Sequence, residues 1–278
     1  MLLRRFSSLR LLAASLLLLP SLAQAGGPWP SGKGHGFLKL SQRAIVASSF
    51  FNLDGDIIPI TTTSIYTTSL YGEYGLSKQL TIRAYLPLFF RATLNEIRYE
   101  PSGRVEPGDM LNSFGDADVA LSWAIRREKA LALALTLQLG LPTGNPAGGS
   151  TGLLQSGDGE FNQLLKLEAG YSFYPKPAYV SGALGFNHRT RGFSEEAHFQ
   201  LEAGVTLRKK WLLIAKTYAV RSFRNGEAPL SMTGIFSNNT QYLSFGPEVN
   251  YLPSPRVGIS AGVFGAAAAN NILASPSF

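Results

Sequence analysis

Asp116 and Asp118 lie two residues apart. On an extended segment that spacing puts both carboxylates on one face, which suits a cation site or a paired acid. Simple pairing with nearby arginines is the preferred account of them. Asp54-Gly55-Asp56 and Gly157-Asp158-Gly159-Glu160 offer the oxygen ligands calcium takes. Neither follows an EF-hand spacing, and turn chemistry explains both. The histidines are His35, His188 and His198, and the last two flank Ser194 and Glu195. A nucleophile–base pair needs contact geometry that spacing does not supply. No G-x-S-x-G or H-E-x-x-H occurs, and the Gly32-Lys33-Gly34-His35-Gly36 stretch neither follows a strand nor opens a helix. These residues predict no catalytic centre, no cofactor and no metal.

The elements that would carry these side chains announce themselves by alternation. In 130–141, Leu131, Leu133, Leu135, Leu137, Leu139 and Leu141 share one face, opposite Ala130, Ala132, Ala134, Thr136, Gln138 and Gly140. A helix, with its period of 3.6, cannot do this; a strand crossing a bilayer at a tilt can. The same pattern recurs at 80–91, 116–126 and 199–208, with further candidates at 36–50, 63–75, 162–174, 178–189, 211–223, 240–251 and 256–267. The connections alternate in length. Short ones fall at 76–79, 127–129, 175–177, 209–210 and 252–255, and long ones near 51–62, 92–114, 142–160, 190–197 and 224–239. Short turns on one side and long loops on the other mark a bacterial outer-membrane barrel. Each short turn carries or abuts a cation (Lys78, Arg127 with Lys129, Lys176, Lys209 with Lys210, Arg256), with Tyr74, Trp123, Tyr174, Tyr179, Trp211 and Tyr251 near the same level. Amphipathic rings of this kind sit at headgroup depth.

Eleven strands are odd, and closure with both ends on one side needs an even number. A short twelfth strand within 270–278 is expected, although Pro276 cannot donate to a ladder unless it sits on the non-pairing side.

The first 25 residues read as a signal peptide: Arg4, Arg5 and Arg10, then the apolar run Leu11–Leu19, then Ala23-Gln24-Ala25. No Cys follows, so no lipoprotein anchor is expected. Residues 26–35 read as a flexible leader and 36–278 as the barrel. Setting aside those three arginines leaves 22 basic against 18 acidic residues, a net charge of +4 scattered along the chain. Nucleic acid is therefore not an expected partner, whereas outer-membrane lipid is. The absence of Cys excludes a disulfide framework. Only 15% of residues are charged, yet no long apolar block follows the signal, so the hydrophobicity must reside in alternation.

If the Leu, Ile and Val positions face lipid, their neighbours line the lumen: Arg83, Asp116, Asp118, Arg126, Lys166, Glu168, Gln200, Glu202, Glu248 and Asn250. Such side chains either edge a watery path or pair across the barrel and fill it.

Several stretches, LYGEYGLSKQLTIRAYLPLF (70–89), FGDADVAL (114–121), LGLPTG (139–144), LKLEAGYSF (165–173), GFNHRTRGFSEE (185–196), NTQYLSFGPEVNY (239–251) and NILASPSF (271–278), resemble the XagA-like exported proteins. These fall within a broader group of transporter-like barrels linked by name to the MetA pathway of phenol degradation. The resemblance implies a barrel of about twelve strands, with a link to surface polysaccharide and biofilm in one branch and to uptake of small organic molecules in the broader group. It also implies a further strand after the NILASPSF stretch. The expectation is thus an all-β, single antiparallel transmembrane barrel that passes or docks a small organic or saccharide substrate. A closed structural or adhesion barrel acting through its outer loops is the alternative, and an outer-membrane hydrolase or acyltransferase the weakest one. The sequence leaves the oligomeric state open.

Overall fold

A computed structural model describes residues 27–127, 130–228 and 236–278. The expected signal peptide and Lys129 lie outside the described residues. In chain order the strands are β1 (Gly36–Phe51), β2 (Ile57–Gly75), β3 (Leu80–Leu94), β4 (Ile97–Tyr99), β5 (Arg104–Glu106), β6 (Asp109–Ser113), β7 (Ala117–Arg127), β8 (Leu131–Leu141), β9 (Asn162–Ser172), β10 (Ala178–Arg189), β11 (Glu196–Leu207), β12 (Trp211–Ser222), β13 (Gln241–Ser254), β14 (Val257–Gly262), β15 (Gly265–Asn270) and β16 (Ile272–Leu273). The main sheet is antiparallel throughout, in the order β14-β13-β12-β11-β10-β9-β8-β7-β3-β2-β1-β16, so that β16 returns to β1. Both β6 and β7 pair with β3, and both β14 and β15 pair with β13, so each couple forms one interrupted stave. The separate β4–β5 hairpin rises from the loop between β3 and β6.

The twelfth stave runs from β16 through the last residues and closes the barrel. Ser277 bridges both Ile45 on β1 and Phe264 beside β15. Ala44 and Phe278 exchange both backbone hydrogen bonds, at 2.9 and 3.0 Å. Pro276 does not sit on the non-pairing side. The amides of Ala274 and Phe278 both point at β1, bonding Ser49 and Ala44, so by alternation position 276 points there too. The missing N–H is replaced by the Ser275 hydroxyl, which donates to the Val46 carbonyl at 2.6 Å. Among the described residues no strand pairs with the free edge of β1 before Ala44, nor with that of β14.

The alternation places the side chains as the pleat requires. Leu135, Leu137, Leu165, Leu167, Leu184, Leu201, Leu213 and Val249 are exposed on the outside, whereas Ala132, Ala134 and Thr136 are fully buried inside. Trp211 packs on Tyr251 at 4.7 Å between ring centres, and Tyr171 on Phe173 at 5.2 Å, at the short-turn end. The loop between β1 and β2 is shorter than the sequence suggested, because Ile57–Pro59 pair with Ser49–Phe51 of β1. Two register shifts break the strict parity to useful effect. One between Ala47 and Ser49 turns Phe50 inward; another between Thr68 and Ser69, opposite Pro87 and Phe89, does the same for Phe90. With Ile45, Ile65, Leu111 and Leu273 these rings form an apolar cluster against one inner wall, capped by Leu154 from the β8–β9 loop.

Candidate functional site

The lumen is stoppered at the short-turn end by the segment that precedes β1. The flexible leader expected over 26–35 is instead, over its described part, folded back inside the barrel. Pro28 is fully buried. Arg83 Nη2 donates to the Gly27 carbonyl at 2.5 Å, the Ser31 amide donates to Thr81 Oγ1 at 3.1 Å, and the Ser31 hydroxyl donates to Glu73 at 3.2 Å. Trp29 meets the edge of Tyr179 at 5.8 Å between centres. Two glycines leave room for it. A Cβ on Gly170 would overlap the Trp29 ring and reach 2.8 Å from Pro28 Cγ, and a Cβ on Gly75 would overlap the Gly32 backbone. Gly34 and Gly75 are further tied by a 2.9 Å backbone bond. Polar backbone inside a barrel must find partners, and these strand residues supply them.

Around the stopper the charges are paired. Arg83 Nη1 donates to both carboxylate oxygens of Glu168 (3.0 and 3.2 Å), and Arg83 Nε lies 3.7 Å from Glu73 Oε1, which also accepts from the Tyr71 hydroxyl. This contact arches from β3 to β9 over the small side chains of β7 and β8, Ser122, Ala132 and Ala134, all of them buried. Lys166 reaches Gln138 at 2.9 Å and Glu168 at 3.9 Å. On the opposite wall Lys216 bridges Glu248 (2.8 Å) and Glu202 (3.7 Å), Lys39 joins Glu248 at 3.4 Å, and Tyr179 donates to Glu202 at 2.5 Å.

The inferred lumen residues thus divide. Arg83, Lys166, Glu168, Glu202 and Glu248 meet in these networks; Asp118 faces inward higher up, and Gln200 lies half-buried on the inner parity of β11. Asn250 is half-buried on the inner parity of β13. Asp116 sits just before β7 and clamps the β8–β9 loop, accepting from the Gly144 and Asp158 amides at 2.8 Å each. Arg126 does not line the lumen. A register shift between Ala124 and Arg126 sets it beside outward Leu133 and leaves it exposed at the rim. Sequence parity missed Glu73, Lys39, Lys216 and Arg189, although each lies on the inward parity of its strand.

Above these networks, at the loop end of the strands, a cavity of about 230 Å³ opens between β7–β13 and the inward-folded loops. Its polar wall includes Asp118, Asn187, Arg189, Glu196 and His198; Leu164, Val220 and Phe236 give it an apolar side, and Tyr218 and Tyr242 stand between. Arg189 organises the rim, bonding Asp158 (3.1 Å), Glu160 (2.8 Å) and Glu196 (2.7 Å) while stacking at 4.4 Å on Phe193. His198 bonds Glu196 through Nε2 at 3.0 Å and receives the Tyr218 hydroxyl at Nδ1, 2.5 Å away. Ser194 is spent on Asn238 and Asn239, and His188 faces Glu195 at 3.0 Å outside the barrel. Neither histidine meets a serine hydroxyl in these contacts. Asp54 and Asp56 form a turn whose amides both donate to Asn52 Oδ1. Among the described residues no three acidic or histidine side chains converge to hold a metal.

The outer loops are pinned in the same manner. Asp109 accepts from the amides and hydroxyls of Ser150 and Thr151, and these bonds, the Thr151 hydroxyl foremost, hold its carboxyl well below the usual range. The hydrogen bond from His188 lowers Glu195 likewise, helped by Asn225.

A family sequence model described as "Putative MetA-pathway of phenol degradation" matches residues 60–277. The chain belongs to this family. The fold is similar to that of a COG4313 outer membrane channel from Pseudomonas putida F1 (TM-score 0.62, 15% identity, covering 87% of this chain and 91% of that one). An anion-selective porin from Comamonas acidovorans matches over 87% of this chain and 96% of its own, at 10% identity and a TM-score of 0.35. A search of curated proteins finds no match. This family member is an all-β barrel of the outer membrane, with short turns at one end and long loops at the other.

Proposed function

We propose that this barrel is a gated outer-membrane conduit for small organic molecules, with the upper cavity as its receiving site and the Gly27–Ser31 segment as its periplasmic stopper. The observation that carries the reading is the cavity itself, walled by charge on one side and by Phe236, Leu164 and Val220 on the other. Such a lining suits a solute with one polar and one apolar edge. Its volume fits a single ring-sized molecule, organic or sugar, rather than a polymer, so passage of a surface polysaccharide finds no support in it. The family's description, which names phenol degradation, agrees with a small aromatic or similar solute.

The stopper supports the gating half of the proposal, because it is held by hydrogen bonds and one ring contact and joins the wall through β1. A second reading has an observation of its own. The Arg83–Glu168 arch and the inward loops fill much of the lumen, as a permanently closed structural barrel would require. Planar-bilayer current through the refolded mature protein separates the two. Rare, discrete openings that become frequent in Trp29→Ala support the conduit. Silence from both proteins, each heat-modifiable and hence folded, leaves the closed barrel.

A further inference from the structure

The upper cavity has a lopsided hydrogen-bond inventory. Its strongest donors are already committed. Arg189 spends all three nitrogens on carboxylates, and both ring nitrogens of His198 are engaged. Acceptors remain. Asn187 is buried and donates through Nδ2 to Asn162 and Glu196, yet its Oδ1, buried at the cavity wall, has no hydrogen-bond partner among the described residues. Among the described lining residues three carboxylates, Asp118, Asp158 and Glu196, face one guanidinium. Aromatic faces complete the enclosure: Tyr218 and Tyr242 lie 5.9 Å apart with planes inclined at 42°, across from Phe236.

We propose that this cavity selects protonated organic amines, the ammonium donating to Asn187 Oδ1 and facing Asp118 while the apolar body rests on Phe236 and the tyrosines. This deepens the conduit reading and rests on it for how the ligand arrives. An ammonium supplies only donors, carries the compensating charge, and is attracted to the faces of tyrosine rings. A carboxylate would meet the existing acids, and an alcohol would bring a donor but no charge.

The test is calorimetric titration of the full mature protein in detergent with phenethylamine, phenethyl alcohol and phenylacetate. The amine is expected to bind at least about tenfold tighter than the alcohol, with phenylacetate weakest, in keeping with a charge-assisted bond. Asp118→Asn should weaken the amine about tenfold and leave the alcohol unchanged. Alcohol or phenylacetate binding as tightly as the amine overturns the proposal, as does absence of amine binding. The ligand series on unaltered protein decides even where a variant misfolds. Flux of phenethylamine into protein-loaded vesicles is read separately. Binding without flux upholds the site and removes the conduit; flux without amine preference does the reverse.

Discussion

Gly170→Leu should open the periplasmic end of the barrel. A Cβ at this position already overlaps Trp29 and comes within 2.8 Å of Pro28, and a leucine would fill the space the ring occupies. The stopper's attachments set the scale. Charge-assisted bonds from Arg83 to Gly27 and from Ser31 to Glu73 are worth about 2 kcal/mol each, and the Ser31–Thr81 bond about 1 kcal/mol. The Trp29–Tyr179 contact adds about 1 kcal/mol and the burial of Trp29 and Pro28 about 3 kcal/mol. Ordering five residues costs about 6 kcal/mol, leaving a net hold near 3 kcal/mol, a closed-to-open ratio on the order of 100. Overpacking a well-filled site costs about 1–3 kcal/mol, which brings the ratio toward unity. The backbone at Gly170 tolerates a side chain, because its φ is not left-handed. Acrylamide quenching of Trp29, with Trp123 and Trp211 replaced by Phe, reports the displaced segment, and planar-bilayer current reports the open lumen. A Gly170→Leu barrel that is heat-modifiable, keeps Trp29 shielded and passes no more current than the parent would refute both the plug and the arithmetic.

Arg83→Ala leaves Glu73 and Glu168 buried without their guanidinium, so a loss of about 3 kcal/mol in urea unfolding from vesicles is expected. Glu168→Gln should cost less, since Arg83 keeps Glu73; equal effects would mean that Arg83 acts through Glu168 alone. Leu137 faces lipid near the middle of β8, and Leu137→Arg should destabilise by about 2–4 kcal/mol in the same assay; a neutral result would place that face away from the bilayer core. Asp109 is held in its charged form, so its clamp on the Ser150–Thr151 segment is present above the ordinary carboxylate range and is lost only as pH falls through its lowered value. Limited proteolysis should therefore find the 148–153 loop resistant at pH 7 and still at pH 4, and sensitive in Asp109→Asn at both; cleavage of the parent at pH 4 alone would contradict the lowered value.

Much of this wall was legible because lipid enforces it. The six leucines of β8 must all face one way, so period two is readable without any tertiary knowledge, and turn length then orders the strands. Legibility failed where backbone geometry departs from strict alternation. The register shift before Arg126 reverses its face, and the shifts around Ala47 and opposite Pro87 bring Phe50 and Phe90 into a lumen expected to be polar. Pro276 was readable as a defect but not as a solved one, since its remedy is the neighbouring hydroxyl of Ser275. The leader was the largest miss. Gly-Pro-Trp-Pro-Ser carries no periodicity, and its partners, Thr81, Arg83 and Gly170, lie 50 or more positions away. Nothing local could show that a strand-side glycine was a socket for Trp29.

Ion pairs alone do not decide whether such a barrel conducts. Lys216 pairs with Glu202 and Glu248 on the two adjacent strands, so this bridge lies along the wall and narrows the lumen little. Lys39–Glu248 spans only the seam beside β14 and the closing stave. Arg83–Glu168 leaps two strands, and it does so over alanine and serine. What fills the lumen is chain from outside the sheet, Gly27–Ser31 below and Leu154 and Phe236 above. The hydrogen-bonded wall could therefore remain intact while the stopper moves, with Arg83 and Glu73 exchanging Gly27 and Ser31 for water. The cost of opening is then the few kcal/mol that hold the segment, far below the cost of unzipping a strand, and this separation of wall from stopper is what lets a barrel with so full a lumen still serve as a conduit.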